Sequence, residues 1–303
     1  MSKNRHSGYA LNQSPFYCLR SKKKLASILY TSKYKIDLLC RDENIYKEHN
    51  IPSNTGNTRH IEEPKFALKQ VQKRIADILK RIEIPEYVHS PKAHCSYITN
   101  AKVHISCLSL RTIDIEKYFP STSGKHVYWF FHQKMKCSSD VAGILTRIST
   151  FNNHLPTGSP LSPILSFFSH IDMWNNIDEI VRGENCILSV YVDDIAISGD
   201  RVSNKLIWKV KQQLHCAELR SNRKKEKSYN GKKARRLTGV IISPNGILKL
   251  PNRQYLKIRK VRGDLLRCKD QDTIIHLQQK LNGLESQAQQ IIKANNKSCI
   301  IIS

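Results

Sequence analysis

The sequence predicts a mixed α+β fold in which strands carry acidic residues to turns. Apolar residues recur at three- and four-residue steps from Phe66 to Leu79, which is the pattern of an amphipathic helix. Leu108 to Ile115 alternates in the manner of a half-buried strand. Cys186 to Ile197 is apolar on both sides of Asp193-Asp194, so we expect two strands joined by a tight acidic turn.

The remaining elements follow from local patterns. In the N-terminal half we expect a helix from Lys22 to Leu39, a polar loop from Ile51 to His60, the helix that stops before Pro85, and a helix from Val141 to Phe151. In the C-terminal half we expect a loop from Pro156 to Pro163, helices over Ile164–Ile180 and Leu206–Leu219, a hairpin over Leu237–Leu250 and a helical apolar stripe from Ile274 to Ile291.

The composition indicates a folded chain that binds a polyanion. Of its 303 residues, 50 are Lys or Arg, 25 are Asp or Glu and 40% are apolar, which gives a formal net charge of +25 and enough material for a core. From Arg201 to Lys269, 21 Lys or Arg stand against three acids. This block keeps its turns and strand patterns and is not one long amphipathic helix, which favours a nucleic-acid partner over a membrane.

Other classes are disfavoured. No uninterrupted apolar run approaches the length of a membrane-spanning helix, and Met1 to Pro15 lacks the apolar segment of a secretory signal. The nine cysteines form no CxxC pair, which argues against zinc knuckles and redox motifs. We therefore expect a cytoplasmic protein with reduced thiols and no membrane partner.

Two adjacent carboxylates in an apolar hairpin are central to the functional prediction. Asp193 and Asp194 repel each other, which costs stability unless a cation lies nearby. Asp114 ends the predicted strand from Leu108, so three carboxylates converge if the two segments are neighbouring strands. Hard oxygen ligands suit Mg²⁺, and two ions about 4 Å apart serve phosphoryl transfer. For an Asp-Asp pair alone, the alternative is an ordinary hairpin turn.

Three segments carry a resemblance to a known family. Tyr191-Val192-Asp193-Asp194 resembles the catalytic motif of reverse transcriptases. Thr112 to Ser121 resembles their first palm motif, and Leu155 to Pro163 resembles the loop-and-helix motif that positions template and incoming nucleotide. The segments occur in the family's order. The resemblance runs from about Tyr46 to Arg259 and implies a right-handed polymerase fold with α+β fingers, an antiparallel palm sheet and a small helical thumb.

The resemblance also implies a domain organisation. We expect an N-terminal basic extension over 1–44, fingers over 45–107, a palm over 108–250 with a fingers insertion at about 121–150, and a thumb over 251–303.

Two shorter motifs point to a subgroup. Asn100-Ala101-Lys102-Val103-His104 matches the NAxxH pattern of retron reverse transcriptases, and Leu237-Thr238-Gly239 resembles their VTG element with Leu for Val. The chain also has no room for the maturase segment of group II intron enzymes. The retron resemblance implies RNA-directed DNA synthesis, primed by the 2′-OH of a guanosine in the enzyme's own structured non-coding RNA of msr-msd type. The product would be branched RNA–DNA (msDNA).

The same resemblance implies further partners. These are dNTPs and a separate effector protein of an antiviral (anti-phage) defence system in a bacterial cell. One alternative is a group II intron-like or diversity-generating reverse transcriptase. An alternative of another class is a catalytically silent RNA-binding scaffold, but a silent site has no reason to keep the charge of Asp114, Asp193 and Asp194 clustered.

Metal binding is implied for four residues, as ligands of two Mg²⁺ ions. They are Asp114, the backbone carbonyl of Ile115, Asp193, and Asp194 as third carboxylate. Phe119 lies five residues after Asp114, where the family keeps an aromatic gate. Its ring would fill the space that a ribose 2′-OH needs and so favour deoxynucleotides.

Three other residues are implied in nucleotide binding. Arg59 would grip the triphosphate with its guanidinium fork. Gly158 would let the backbone approach the template–nucleotide pair closely, and Lys225 would lie near the leaving pyrophosphate.

RNA contact is implied for residues of the two subgroup motifs and of the thumb: Asn100, His104, Leu237, Thr238, Gly239, Arg253, Lys257, Arg259, Lys260 and Arg262. Asn100 and His104 have an alternative role, the satisfaction of buried backbone groups. The thumb residues would hold an A-like duplex by its shape and backbone.

The chain departs from the family pattern at two places. Thr157 stands where the family usually has Gln, so contacts with the incoming dNTP are expected to differ. Ser53 and Asn54 stand where a fingers lysine is common, so another basic residue such as Lys47 would have to replace it.

Overall fold

The computed structural model describes residues 8–52, 58–231 and 233–296, so Ser53, Asn54 and Cys299 lie outside the described residues. The helices of the described part are, in chain order, α1 (Lys22–Ile28), α2 (Lys33–Arg41), α3 (Phe66–Leu79), α4 (Tyr97–Lys102), α5 (Tyr118–Ser121), α6 (Gly124–Trp129), α7 (Ser139–Ser149), α8 (Ser162–Ser169), α9 (Ile171–Gly183), α10 (Asn204–Cys216), α11 (Asn252–Arg267) and α12 (Gln271–Asn296). None of them is both long and apolar enough to cross a membrane.

The strands form three sheets. They are β1 (Tyr46–Pro52), β2 (Thr58–Pro64), β3 (Val88–Ser90), β4 (Ser109–Asp114), β5 (Ile187–Tyr191), β6 (Asp194–Gly199), β7 (Lys227–Asn230), β8 (Arg235–Leu237), β9 (Val240–Ile242) and β10 (Leu248–Lys249). The five-stranded central sheet has the order β3-β5-β6-β4-β7. Its pairs are antiparallel except that of β3 with β5, so the predicted antiparallel sheet has one parallel edge pair.

The central sheet forms because apolar residues of β4 and β6 meet on a buried face. Ile113 pairs with Ile195 and both are buried, which is the cross-strand β-branched contact that favours strands. The antiparallel pair β5–β6 is the hairpin predicted over Cys186–Ile197.

Two predicted helices are each divided in two. The segment Lys22–Leu39 breaks after α1, and α2 begins where the Ser32 hydroxyl accepts a hydrogen bond from the Lys35 N–H at 3.1 Å. The segment Ile164–Ile180 breaks at His170, whose backbone leaves the helical region and whose ring is buried. The apolar periodicity continues across both breaks. Periodicity alone therefore predicted one helix where the structure has two.

The prediction of a polar loop over Ile51–His60 is wrong in part. Ile51 and Pro52 belong to β1, and Thr58 to His60 belong to β2. The two strands pair antiparallel from Tyr46–Pro64 to Pro52–Thr58. Most of the hairpin is exposed, so it lacks the apolar alternation by which strands are recognised in a sequence.

The apolar residues pack into two main cores. The larger core surrounds the central sheet and the helices up to α10 other than α4. In the second core, Val240, Ile242 and Leu248 pack with Ile258 of α11 and Leu281 of α12. The three-stranded sheet β10-β9-β8 is thus joined to the two C-terminal helices, with α4 completing the core.

Candidate active site

The central sheet brings the predicted acidic residues together at one end. β4 and β6 are neighbours, as predicted, and their register sets Asp114 opposite Asp194. Asp193 lies in the tight turn between β5 and β6, where Val192 has a φ of +60°. The N–H of Ile115 donates to the carbonyl of Asp193 at 2.9 Å, which fixes the turn against the end of β4.

The electrostatics of this site call for a cation. Burial, reinforced by the charges of Asp193 and Asp114, raises the pKa of Asp194 to about 7. Burial and the charge of Asp114 also raise the pKa of Asp193, while a backbone hydrogen bond and the charges of Lys225 and Arg59 oppose the shift. A cluster of carboxylates that shift one another's pKa marks a candidate functional site.

Lys225 supplies one positive charge at the site. Its Nζ lies 3.0 Å from Asp114 Oδ2, a contact that raises the pKa of the ammonium group. The N–H of Asn222 donates to the carbonyl of Asp114 at 2.8 Å, so the turn that carries Lys225 is fixed to β4. Within the described ranges, no three His, Cys, Asp or Glu side chains are close enough to hold a metal ion by themselves. Metal binding here therefore needs further oxygen ligands, such as a backbone carbonyl or substrate phosphates.

The match to a protein family decides how this arrangement is interpreted. Residues 45–242 match the family model described as reverse transcriptase (RNA-dependent DNA polymerase). The chain belongs to the reverse transcriptase family. The matched range contains the three acids, Arg59 and Lys225.

Curated relatives confirm the resemblance to retron reverse transcriptases. The chain is 29% identical over 250 residues to the retron Se72 reverse transcriptase of Salmonella heidelberg, covering 77% of this chain and 65% of that protein. It is 27% identical over 206 residues to the retron Ec86 reverse transcriptase of Escherichia coli, covering 66% of this chain and 63% of that protein. The chain thus spans just under two thirds of the length of both relatives.

A solved structure shows that the fold is that of a right-handed polymerase. The telomerase of Candida albicans, solved with a TWJ fragment of telomeric RNA, matches with a TM-score of 0.51 at 13% identity, covering 84% of this chain and 56% of that one. At this identity the likeness concerns the fold alone.

Arg59 is related to the acids by its charge and Phe119 by its place in the chain. Arg59 is exposed on β2, and its charge acts on Asp193. Phe119 is half-buried in α5, which follows β4 after three residues. In the β1–β2 register, Lys47 lies opposite Glu63 and Ile51 lies opposite Arg59. Lys47 is therefore four residues along the hairpin from Arg59. Four strand residues span about 13 Å, so the structure gives no support to Lys47 as a substitute for the family lysine.

Gly158 approaches β2 closely. Its N–H donates to the carbonyl of Glu62 at 3.1 Å, and a Cβ at this position would lie 2.7 Å from that same oxygen. The Thr157 hydroxyl donates to the carbonyl of His60 at 3.0 Å and accepts from the N–H of Glu62 at 3.2 Å. The need for glycine thus has a structural cause, and the contact of Gly158 with the template–nucleotide pair stays a prediction.

His104 and Asn100 are buried, and their contacts with RNA stay a prediction. His104 is fully buried, with Nδ1 2.6 Å from the Ser198 hydroxyl and Nε2 2.7 Å from the Ser189 hydroxyl. Burial lowers the pKa of His104 to about 3, so the ring is neutral and one nitrogen donates while the other accepts. The alternative predicted buried backbone groups as partners, whereas the side-chain partners are hydroxyls: Ser189 and Ser198 for His104, and Thr238 for Asn100.

The segment Leu237-Thr238-Gly239 ends β8 and makes the tight turn into β9. Thr238 and Gly239 have φ values of +42° and +88°, as a type I′ turn requires. Leu237 is 3% exposed, and its contact with RNA stays a prediction. The Asn100 amide donates to Thr238 Oγ1 at 3.2 Å, so the two retron motifs are in contact. Thr238 and Gly239 are half-exposed, and their RNA contacts stay a prediction.

The predicted basic contacts lie on α11. Four of them are exposed on this helix: Arg253, Lys257, Arg259 and Lys260. Arg262 is also exposed, but its Nη2 and Nε lie 2.7 and 3.1 Å from Glu285 Oε1 on α12. Arg262 therefore bridges the two helices, and its charge is partly compensated within the protein.

One contact that the sequence does not predict is a hydrogen bond between a buried carboxylate on β2 and a histidine ring. Glu62 on β2 is 4% exposed, and His154 Nε2 lies 2.9 and 3.1 Å from its two carboxylate oxygens. No local sequence signal predicts this contact, because an acid in a polar strand is expected to be solvent-exposed and His154 is 92 residues away.

Proposed function

We propose that this chain is an RNA-directed DNA polymerase of retron type, which transfers nucleotides from dNTPs to a primer hydroxyl on an RNA template. The observation that carries the proposal is the pairing of Asp114 with Asp194, with Asp193 at the adjoining turn and the charges of Lys225 and Arg59 acting on this group. Phosphoryl transfer depends on positioning and electrostatic stabilisation, which such a group of charges supplies.

The acids fit Mg²⁺ as the cofactor. Carboxylates are hard oxygen donors. Burial, together with repulsion among the acids, raises the pKa of Asp193 and Asp194, and a divalent cation would stabilise their charged forms. Asp114, Asp193 and the carbonyl of Ile115 would hold two ions, with Asp194 as third carboxylate. Bound Mg²⁺ would supply activation of the primer hydroxyl and stabilisation of the leaving oxygen.

The protein's own residues would orient the nucleotide. Arg59 would bind the triphosphate, since its guanidinium is exposed and close enough to influence Asp193. Phe119 would exclude a ribose 2′-OH, because its partly exposed ring follows the strand that ends at Asp114. Lys225 would bind phosphate once a metal ion replaces its ammonium group at Asp114.

We assign the polymerase domains as the family resemblance implies. Residues 1–44 form a basic extension, 45–107 the fingers, 108–250 the palm with a fingers insertion at about 121–150, and 251–303 the thumb. In support of this assignment, α11 and α12 share a core with β9 and β10, so the thumb would pack against the strands that precede it. The exposed basic residues of α11 would hold the template–product duplex by its backbone.

The retron-specific activity is self-priming on one structured non-coding RNA. The priming group would be the 2′-OH of an internal guanosine, and the product msDNA. Two retron reverse transcriptases among the relatives support this assignment, as does the contact between the two retron motifs at Asn100 and Thr238. We further propose that the msDNA and a separate effector act with the enzyme in anti-phage defence in the bacterial cytoplasm.

The test is to express the chain with its native locus and sequence the nucleic acid that copurifies. We expect a short single-stranded DNA joined at its 5′ end to RNA through a 2′,5′ linkage, so that debranching enzyme releases a free DNA end. Unbranched products with equal use of generic primers would identify a reverse transcriptase of another kind. No DNA synthesis on any template would identify an RNA-binding scaffold.

A further inference from the structure

The β1–β2 hairpin, which carries Arg59, has little apolar anchoring. Along β1 only Tyr46 is buried, and along β2 only Glu62 and Pro64 are buried. The hairpin instead contacts the loop over 154–159 through polar groups. We call this contact the hairpin–loop interface; its residues are Tyr46, His60, Glu62, Gln72, His154, Thr157, Gly158 and Ser159.

The first part of the hairpin–loop interface is centred on Glu62. Its buried carboxylate accepts from His154 Nε2 at 2.9 and 3.1 Å and from the N–H of Thr157 at 3.4 Å. Its backbone is held as well, since its carbonyl accepts from Gly158 and its N–H donates to the Thr157 hydroxyl. A buried carboxylate with this many partners fixes the strand in one position, because any shift leaves a charge desolvated and unpaired.

The second part fixes β1 through α3. Gln72 is fully buried, and its Nε2 donates to the Tyr46 hydroxyl and to the carbonyl of Ile148, both at 2.8 Å. The Ser159 hydroxyl donates to Gln72 Oε1 at 2.6 Å. β1 is therefore tied to this loop by buried hydrogen bonds through Gln72, and β2 is tied to it by part-buried ones, so both sets are costly to break.

We infer that Glu62 and Thr157 are positioning residues for nucleotide binding, which set the place of Arg59 relative to Asp193. This inference rests on the proposed function. Arg59 lies three residues before Glu62 on the same strand, so a displacement of β2 from the loop moves its guanidinium. Thr157 stands where the family usually has Gln. Its hydroxyl would act on nucleotide binding indirectly, by holding the backbone of β2 in place.

The same hairpin offers a matched control. Glu48 Oε2 lies 2.9 Å from His60 Nε2, the same kind of pair at the same distance as Glu62 with His154. The Glu48–His60 pair is exposed, with side chains 48% and 51% accessible, whereas the Glu62 side chain is 6% accessible. Exposed pairs contribute little, so a neutral amide at position 48 should leave the hairpin in place.

The experiment compares steady-state primer extension by Glu62→Gln, Thr157→Val and Glu48→Gln. We expect KM for dNTP to rise about tenfold in the first two variants with a smaller change in kcat, because a misplaced binding group costs one to two orders of magnitude. Glu48→Gln should keep the KM of the unmodified chain. Thr157→Ser retains the hydroxyl and should restore KM, which a loss of loop packing would not predict. Equal KM values for Glu62→Gln and Glu48→Gln overturn the inference.

A second measurement does not depend on catalysis. Hydrogen exchange of the backbone amides over 58–63 should be faster in Thr157→Val than in Thr157→Ser, since the hydroxyl holds this strand. If the chain makes no DNA but this difference is observed, the proposed function fails while the hairpin–loop interface stands. Unchanged exchange in Thr157→Val overturns the positioning role even in an active polymerase.

Discussion

The side-chain amide of Asn100 donates a hydrogen bond to the hydroxyl of Thr238 at 3.2 Å, across 138 residues of sequence. The same hydroxyl donates to the carbonyl of Tyr97 at 3.3 Å, at the start of α4. α4 and the turn between β8 and β9 are thereby fixed to each other. The positive φ of the β-branched Thr238 is unfavourable by itself, and these two bonds stabilise it.

We predict that Asn100→Ala lowers the free energy of unfolding by about 0.5–1.5 kcal/mol, because it removes the hydrogen bond from this buried amide to the half-exposed Thr238 hydroxyl. Thr238→Val should cost a similar amount, and the double variant should cost clearly less than the sum. Chemical denaturation measures all three. A large loss of RNA affinity in Asn100→Ala without loss of stability would mean that Asn100 contacts RNA after all.

We predict that Asp193→Asn and Asp194→Asn each reduce DNA synthesis by at least about 10²-fold, because a neutral amide is a poor metal ligand and supplies no charge for transition-state stabilisation. RNA affinity should stay the same or rise slightly, since a negative charge is removed beside the nucleic acid. Primer extension and filter binding measure the two quantities. Asp200→Asn, at an exposed position after β6, is the control. Near-normal extension by both active-site variants would contradict the assignment.

The buried ring of His104 predicts a pH dependence of stability. Its folded pKa is about 3, below the ordinary value of 6.5, so the unfolded chain takes up a proton first as pH falls. The contribution of His104 to the free energy of unfolding is complete above pH 6.5 and is lost as the pH falls towards 3. In this range the free energy of unfolding falls by about 1.4 kcal/mol per pH unit for one proton. His104→Gln should reduce that slope of unfolding free energy between pH 6 and 5, whereas the exposed His276→Gln should not. An unchanged slope in His104→Gln would show that the ring is accessible to protons in the fold.

We predict that Phe119→Val lowers the preference for dNTP over rNTP by about tenfold or more, because removing a steric wall admits the 2′-OH. The assay is single-nucleotide extension with either substrate. Phe66→Val is the control, since Phe66 is 77% exposed at the start of α3. A selectivity equal to that of the control would leave Phe119 as a packing residue.

We predict that joint replacement of Arg259 and Lys260 by Ala reduces branched product more than extension of an annealed generic primer. Both residues are exposed on α11, and each lost phosphate contact should lower the salt dependence of RNA binding by about one unit of slope. Replacement of Lys33 and Lys35 on α2 removes the same charge elsewhere and is the control. An equal loss in both pairs would indicate only a general electrostatic effect.

Arg262 is left out of that replacement because its guanidinium is bonded to Glu285, which the sequence did not reveal. Similarly, the sequence left His104 open between RNA contact and buried hydrogen bonding, whereas the fold sets its ring between Ser189 and Ser198, 85 and 94 residues away. The burial of a polar side chain depends on which distant groups reach it. A single sequence without such pairings cannot distinguish a buried histidine from an exposed one.

The sequence by itself determined the acids, their order and the family, because the catalytic motifs are short, local and chemically specific: Asp114 ends a strand, and Asp193 and Asp194 lie in an apolar hairpin. Only the tertiary structure decided how the hairpin that carries Arg59 is held. The β1–β2 hairpin is a pair of polar strands that no apolar pattern predicts. Glu62 of this hairpin is buried, and its carboxylate contacts His154, which lies 92 residues later in the chain. Such contacts depend on long-range packing, because burying a charged side chain is costly unless a residue from a distant part of the sequence pairs with it.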